Sequence, residues 1–187
     1  MTSRLSLGAA LLGVLVLGTG CAIQAPPYQP SINNVSQLKR DTTQPVRVGT
    51  FSIQPGAVGG VSVSIRGGAM NSPVGAHYAD YLAAALQRDL QLAQRFDPQA
   101  AVSIEGTLLS NDVDAAIGRG TGHMEARFVV SRDGRVRFDK VKRGTHDWES
   151  SFAAMVAVPA AQQAYPQIVQ NLLSSLFADP DFLSALK

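Results

Sequence analysis

The chain carries one cysteine, Cys21, placed directly behind an apolar run, Leu5–Leu17, and this pairing limits what the rest can become. With a single thiol there is no internal disulfide and no Cys-rich zinc site. The folded part must therefore hold itself together with a hydrophobic core. The apolar run is 13 residues long with Arg4 ahead of it, short of the ~20 residues a bilayer-spanning helix needs. Its build is that of a secretory signal segment, which sets residues 1–20 apart from the fold. A lone cysteine is out of place in an oxidising compartment, so its position behind the signal segment is informative.

Composition excludes other classes. Of 187 residues, 45% are hydrophobic and 16% charged, so the whole is not a disordered chain. A net charge of +2 is too balanced for a strongly basic nucleic-acid binder, and no nucleic-acid partner is expected. Residues 21–44 hold Pro26, Pro27 and Pro30 without sustained periodicity, and this composition predicts a flexible tether. Stretched out, residues 22–44 reach roughly 75 Å at ~3.3 Å per residue. Residues 45–187 are then the single folded domain.

Within that domain the pattern alternates between periods. Val46–Ile53 and Val61, Val63 and Ile65 read as strands. A helix is predicted from about Gly75 to Phe96, with Tyr78, Leu82, Leu86 and Leu90 on one stripe and Asp97-Pro98 as its stop. Strands follow over 101–109 and 123–131, and Asp133-Gly134 signals a two-residue hairpin. A bulge or bend is expected near Val141–Lys142, ahead of a strand on which Trp148 and Phe152 share a face. Pro159 and Pro166 mark helix starts, and Ile168, Val169, Leu172, Leu173, Leu176 and Phe177 form an apolar stripe. Asp179-Pro180-Asp181 opens a short last helix. The order predicts an α+β two-layer sandwich. Its mostly antiparallel sheet has about five strands, with two main helices on one face and the other face wetter.

Few residues carry chemistry. Gly118–Gly122 lacks the ending of a phosphate-binding loop and reads as a mobile connection. Asp112 and Asp114 lack the spacing of a calcium loop, and His77, His123 and His146 have no paired metal-ligand spacing. No catalytic residue, metal site or enzymatic activity is assigned. The one conspicuous cluster is basic: Arg132, Arg135, Arg137, Lys140, Lys142 and Arg143, offset by Asp133 and Asp139. Arg135 and Arg137 alternate with Val136 and Phe138, which puts both on one polar face. The plainer reading is a solvated hairpin paired with Glu125, Asp147 and Glu149. The functional one is contact with an anionic lipid, lipid A phosphates or an acidic partner, for which arginine's planar fork is suited.

Gly18-Thr19-Gly20-Cys21-Ala22 resembles a bacterial lipobox, with Leu17 one position earlier than the usual leucine. The resemblance implies cleavage before Cys21 and a covalent lipid on its sulfur, the only prosthetic group expected. Ala22 and Ile23 after the cysteine, by likeness to Gram-negative lipoproteins, imply the outer membrane with the domain facing the periplasm. Leu17–Cys21, Tyr81–Leu92, Val102–Leu109, the hairpin at Asp133-Gly134 and Ile168–Phe182 together resemble the small YajG-like Gram-negative lipoproteins. The layout is more distantly similar to the LPS-transport partner LptE and to ABC-transport auxiliary lipoproteins. These likenesses imply a non-enzymatic binding or structural role in the cell envelope, held to the membrane by lipid. The partner would be an envelope protein, lipid or lipopolysaccharide. The alternative is an accessory subunit for lipid or lipopolysaccharide transport, and an envelope hydrolase is the third class.

Overall fold

The computed structural model describes residues 22–41 and 44–187; the signal segment and Cys21 lie outside them. The chain runs β1 (Ala22–Gln24), α1 (Ile32–Asp41), β2 (Val46–Ile53), β3 (Ser62–Ile65), β4 (Gly68–Asn71), α2 (Tyr78–Leu92), β5 (Val102–Asp114), β6 (Gly118–Arg132), β7 (Arg135–Ser150), α3 (Ala154–Phe177) and α4 (Pro180–Ala185). The α+β class holds. Its strands form two sheets, one of three strands in the order β1-β4-β3 and one of four in the order β2-β5-β6-β7. Antiparallel pairing dominates the larger sheet, but β2 runs parallel to β5, and the connection between them passes through α2.

Helices α2 and α3 cover one face of the larger sheet. Tyr78, Leu82, Leu86 and Leu90 are fully buried there, as are Ile168, Leu172 and Leu176. They meet Ile104, Leu108, Ala126 and Phe128 from the strands, all of them fully buried. Three tyrosines cluster in this core with their rings tilted, the centres of Tyr78 and Tyr165 5.1 Å apart and those of Tyr81 and Tyr165 5.8 Å apart. Each hydroxyl donates 2.9 Å hydrogen bonds: Tyr78 to Met70 O, Tyr81 to Pro26 O, Tyr165 to Asn111 Oδ1. Burial raises all three phenols above their ordinary range, so they act as neutral donors.

The expected tether is instead part of the core from residue 22 to residue 41. Its prolines keep residues 25–30 extended, and hydrogen bonds pin them: Ala25 N–H to Asn71 O at 2.9 Å and Gln170 Nε2 to Gln29 O at 2.6 Å. Tyr28 Oη donates to Asp89 Oδ2 at 2.9 Å. Helix α1 then buries Asn34 and Leu38, one turn apart, and the asparagine masks the apolar stripe in the sequence. Residues 42 and 43 lie outside the described residues.

Other departures have local causes. Gly118–Gly122 is not a mobile connection but the start of β6. A Cβ at Gly120 would lie 2.3 Å from the Trp148 indole, and one at Gly122 would lie 2.3 Å from Ile168 Cδ1, so the glycines make room for neighbouring side chains. β7 is continuous through Val141 and Lys142; the register shifts lie at Val130/Ser131 and Leu108/Ser110. Pro159 and Pro166 both sit inside α3 rather than at helix starts. Phe152 does not share a face with Trp148: it lies beyond β7 and is 79% exposed. The Asp133-Gly134 turn is present, with positive φ at both residues, 51° and 74°.

Candidate functional site

The basic hairpin is built by β6, the Asp133-Gly134 turn and β7. Strand alternation divides its six cations between two faces. Phe138, Lys140, Lys142 and Gly144 lie on the helix-covered side, whereas Asp139 and Arg143 point to the open face. The register shift between Phe138 and Val136 breaks the alternation, so Arg135, opposite Arg132, lies on the side of Phe138, and the two tip arginines do not share one face as the sequence pattern predicts. From Phe138 onward the parity of the numbers already contained this split.

On the covered side the lysines are spent on α4. Lys142 Nζ lies 2.5 Å from Asp179 Oδ2, and Lys140 Nζ lies 3.1 Å from the same atom and 2.7 Å from Asp181 Oδ2. Asp179 also caps α4, its Oδ1 accepting from Asp181 N–H at 2.8 Å. The hydrogen bond from Lys142, reinforced by Lys140 and that N–H, holds the Asp179 carboxyl well below the usual carboxylate range despite desolvation. Lys142, which breaks the apolar alternation of the sequence, occupies an inward position because Asp179 receives it.

On the open face a ladder of ion pairs crosses the strands. Arg127 pairs with Asp139, Arg119 with Asp147, and Arg143 lies 3.9 Å from Glu125. Hydrogen bonding to Arg127 lowers the Asp139 carboxyl. On the covered side, Arg132 donates to Lys187 O at 2.9 Å. Arg135 and Arg137 are left exposed at the hairpin tip with no ion pair or hydrogen bond among the described residues. Arg137 also borders a groove of about 450 Å³ with Phe138, Lys140, Asp181 and Ser184. Of six candidate cations, two remain available to a ligand.

The histidines are dispersed. His77 opens α2 with Nδ1 3.2 Å from Asp80 Oδ2. His123 stands on the open face opposite Asp112, and His146 stacks on Trp148 with ring centres 6.3 Å apart. Asp112 and Asp114 are exposed positions near the end of β5. Among the described residues no group of three His, Cys, Asp or Glu side chains could hold a metal, and no helix is long and apolar enough to cross a membrane.

The sequence reading missed Asp89, a fully buried carboxyl on α2 against Tyr28 and Asn34. Desolvation pushes it up to about 7, with the Tyr28 hydroxyl and the Asn34 amide pulling the other way. Its signal was the acid on the apolar stripe between Leu86 and Leu90, three residues beyond the first and one before the second.

No family model matches the chain, and no curated protein matches it. Solved structures do. Protein XCC0632 from Xanthomonas campestris, assigned to family model DUF330, superposes with a TM-score of 0.55 at 12% identity, over 84% of this chain and 96% of that one. The fold is therefore shared with that protein. A lipoprotein candidate from Caulobacter crescentus aligns with a TM-score of 0.44 at 15% identity, over 81% of this chain and 93% of that one.

Proposed function

We propose that the chain is a lipid-anchored envelope protein of the outer membrane whose periplasmic domain binds or braces another envelope component without catalysing a reaction. The observation that carries this reading is the sequence Leu5–Cys21, a short apolar run closed by small residues and the only cysteine. Three acyl chains on such a cysteine hold a protein far more firmly than one, at ~0.8 kcal/mol per buried CH₂. Confinement to the membrane surface would then raise the domain's effective concentration for partners in the same thin space.

The partner-facing element is the hairpin tip. Arg135 and Arg137 are its unpaired cations, and arginine favours carboxylate or phosphate groups. The tip lies at one end of β7, whose 16 residues extend roughly 50 Å. Ala22 lies toward the other end, paired with Ala69 beside the β3–β4 turn. This distance favours an acidic envelope protein over headgroups of the anchoring leaflet.

Lipid transport through a groove between helices and sheet is supported less well. The side chains along that interface are fully buried, and the α3 backbone comes to within 2.2 Å of where a Cβ on Gly144 would stand.

Two outcomes test the reading. Cys21→Ala should move the protein from the membrane fraction to the soluble periplasmic fraction, and continued membrane fractionation would contradict the anchor. Arg135→Glu with Arg137→Glu should leave stability within ~0.5 kcal/mol, because neither side chain has a partner. It should also reduce co-purification of an acidic partner; unchanged recovery would reduce the tip to a solvated turn.

A further inference from the structure

The two ends of the larger sheet differ sharply in chemistry. One end is the charged tip with Arg132, Asp133, Arg135 and Arg137. At the other end, β5 turns into β6 through Ala115-Ala116-Ile117, and β7 passes into α3 through Ser151 and the run Phe152-Ala153-Ala154-Met155-Val156. Neither Ala115–Ile117 nor Phe152–Val156 contains a charged residue. Turns and helix starts are where Gly, Asn, Asp and Ser collect, yet here Phe152 is 79% exposed, Met155 83%, Ile117 64% and Val156 55%. Contiguous exposed apolar residues of this kind mark a surface that something covers.

The place where the chain enters the fold identifies the cover. Ala22 pairs with Ala69, next to Gly68 at the Arg66-Gly67 turn. Arg66 reaches from that turn to both apolar segments, donating from Nε to Ala115 O at 2.6 Å and from Nη2 to Ser151 O at 3.0 Å. Gln24 is held to α3 through Gln162, in the first half of that helix. Because residues 22–41 are packed into the domain, Cys21 is joined by one peptide bond to a residue fixed at this apolar end. A lipid on Cys21 therefore draws this end, and not the charged tip, against the bilayer.

We propose that Ile117, Phe152, Met155 and Val156 form a membrane-contact rim that sinks into the interfacial zone of the bilayer holding the anchored cysteine. This inference rests on the lipid-anchor reading above. It makes the domain sit on the membrane in one orientation, with the hairpin tip pointing away into the periplasm.

The chain's single tryptophan, Trp148, can be exchanged to provide a reporter. The acylated protein carrying Trp148→Phe and Phe152→Trp is reconstituted into phosphatidylethanolamine–phosphatidylglycerol vesicles, with and without acyl-chain bromination. A matched protein carries Trp148→Phe and Val136→Trp at the opposite end. Both new tryptophans replace exposed side chains, and circular dichroism matching the parent shows that each variant is folded. The rim predicts at least about twofold quenching by brominated lipid, with a blue-shifted emission, at position 152 and neither at position 136. Vesicle-bound protein with equal emission at 152 in both lipids would overturn the rim while leaving the anchor intact, and would leave a protein partner as the cover. Failure to co-sediment with vesicles would overturn the anchor and the rim with it.

Discussion

A Gly144→Val chain should lose on the order of 3 kcal/mol of stability, seen as a lower urea midpoint at unchanged slope. The cause is the close approach of α3 to β7 at this position. A Cβ on Gly144 would meet Leu172 N at 2.2 Å, Ile168 O at 2.4 Å and Leu172 Cα at 2.6 Å, all of them backbone atoms of α3. A side-chain tip could swing aside; a helix backbone has to move as a body, pulling Ile168 and Leu172 away from the strands. The better strand propensity of valine offsets part of the cost, by at most about 1 kcal/mol. Gly122→Ala is the internal comparison. Its nearest contact is the flexible end of Ile168, at 2.3 Å, so its loss should be well under half as large. Since small domains are stable by only ~5–15 kcal/mol, the Gly144 variant forfeits a large share of the total. An unchanged midpoint would mean that α3 does not lie against β7 at this position.

The second large effect concerns Asp89. Its carboxyl is fully buried, and desolvation moves it from the ordinary 3.8 up to about 7 in the folded chain. The folded state therefore binds the proton more tightly than the unfolded state. The stability it contributes is complete below pH ~4, falls as pH rises toward 7, and is gone above that. The full span is on the order of 4 kcal/mol for a shift of this size. Asp89→Asn keeps the shape and an acceptor for the Tyr28 hydroxyl but cannot ionise. The variant should be the more stable protein at pH 8, by a few kcal/mol, and match the parent near pH 4. Urea midpoints at pH 4, 6 and 8 read this directly. Parallel pH profiles for the two proteins would show that Asp89 is not the group responsible.

The parts legible in the sequence are those with local signals. Asp133-Gly134 needs positive φ at both positions, and the long stripes of α2 and α3 need only a period of 3.6. Other features depended on partners distant in the chain. Glycines 120 and 122 read as loop breakers until Trp148 and Ile168 supply the side chains that fill their space. Residues 22–41 read as a tether because their fixings lie far away, in Asn71, Tyr81, Asp89 and Gln170. The basic cluster looked like one patch because Asp179 and Asp181 are nearly forty residues beyond it. Parity along β7 separates Asp139 and Arg143 from Lys140 and Lys142, and that much was readable; the irregularity at Arg137, which sets Arg135 opposite Arg132, was not. The apolar end was legible only as two short runs, Ala115–Ile117 and Phe152–Val156, each unremarkable until the fold sets them side by side.

Every functional statement above depends on lipid at the head of the processed chain. The direct measurement is the mass of the N-terminal peptide from protein extracted out of the membrane fraction. Acylation predicts a chain beginning at Cys21 and heavier than its amino acids by a diacylglyceryl thioether, with or without a further amide-linked acyl group. A chain beginning at Cys21 with a free thiol, or beginning at any other residue, would contradict it.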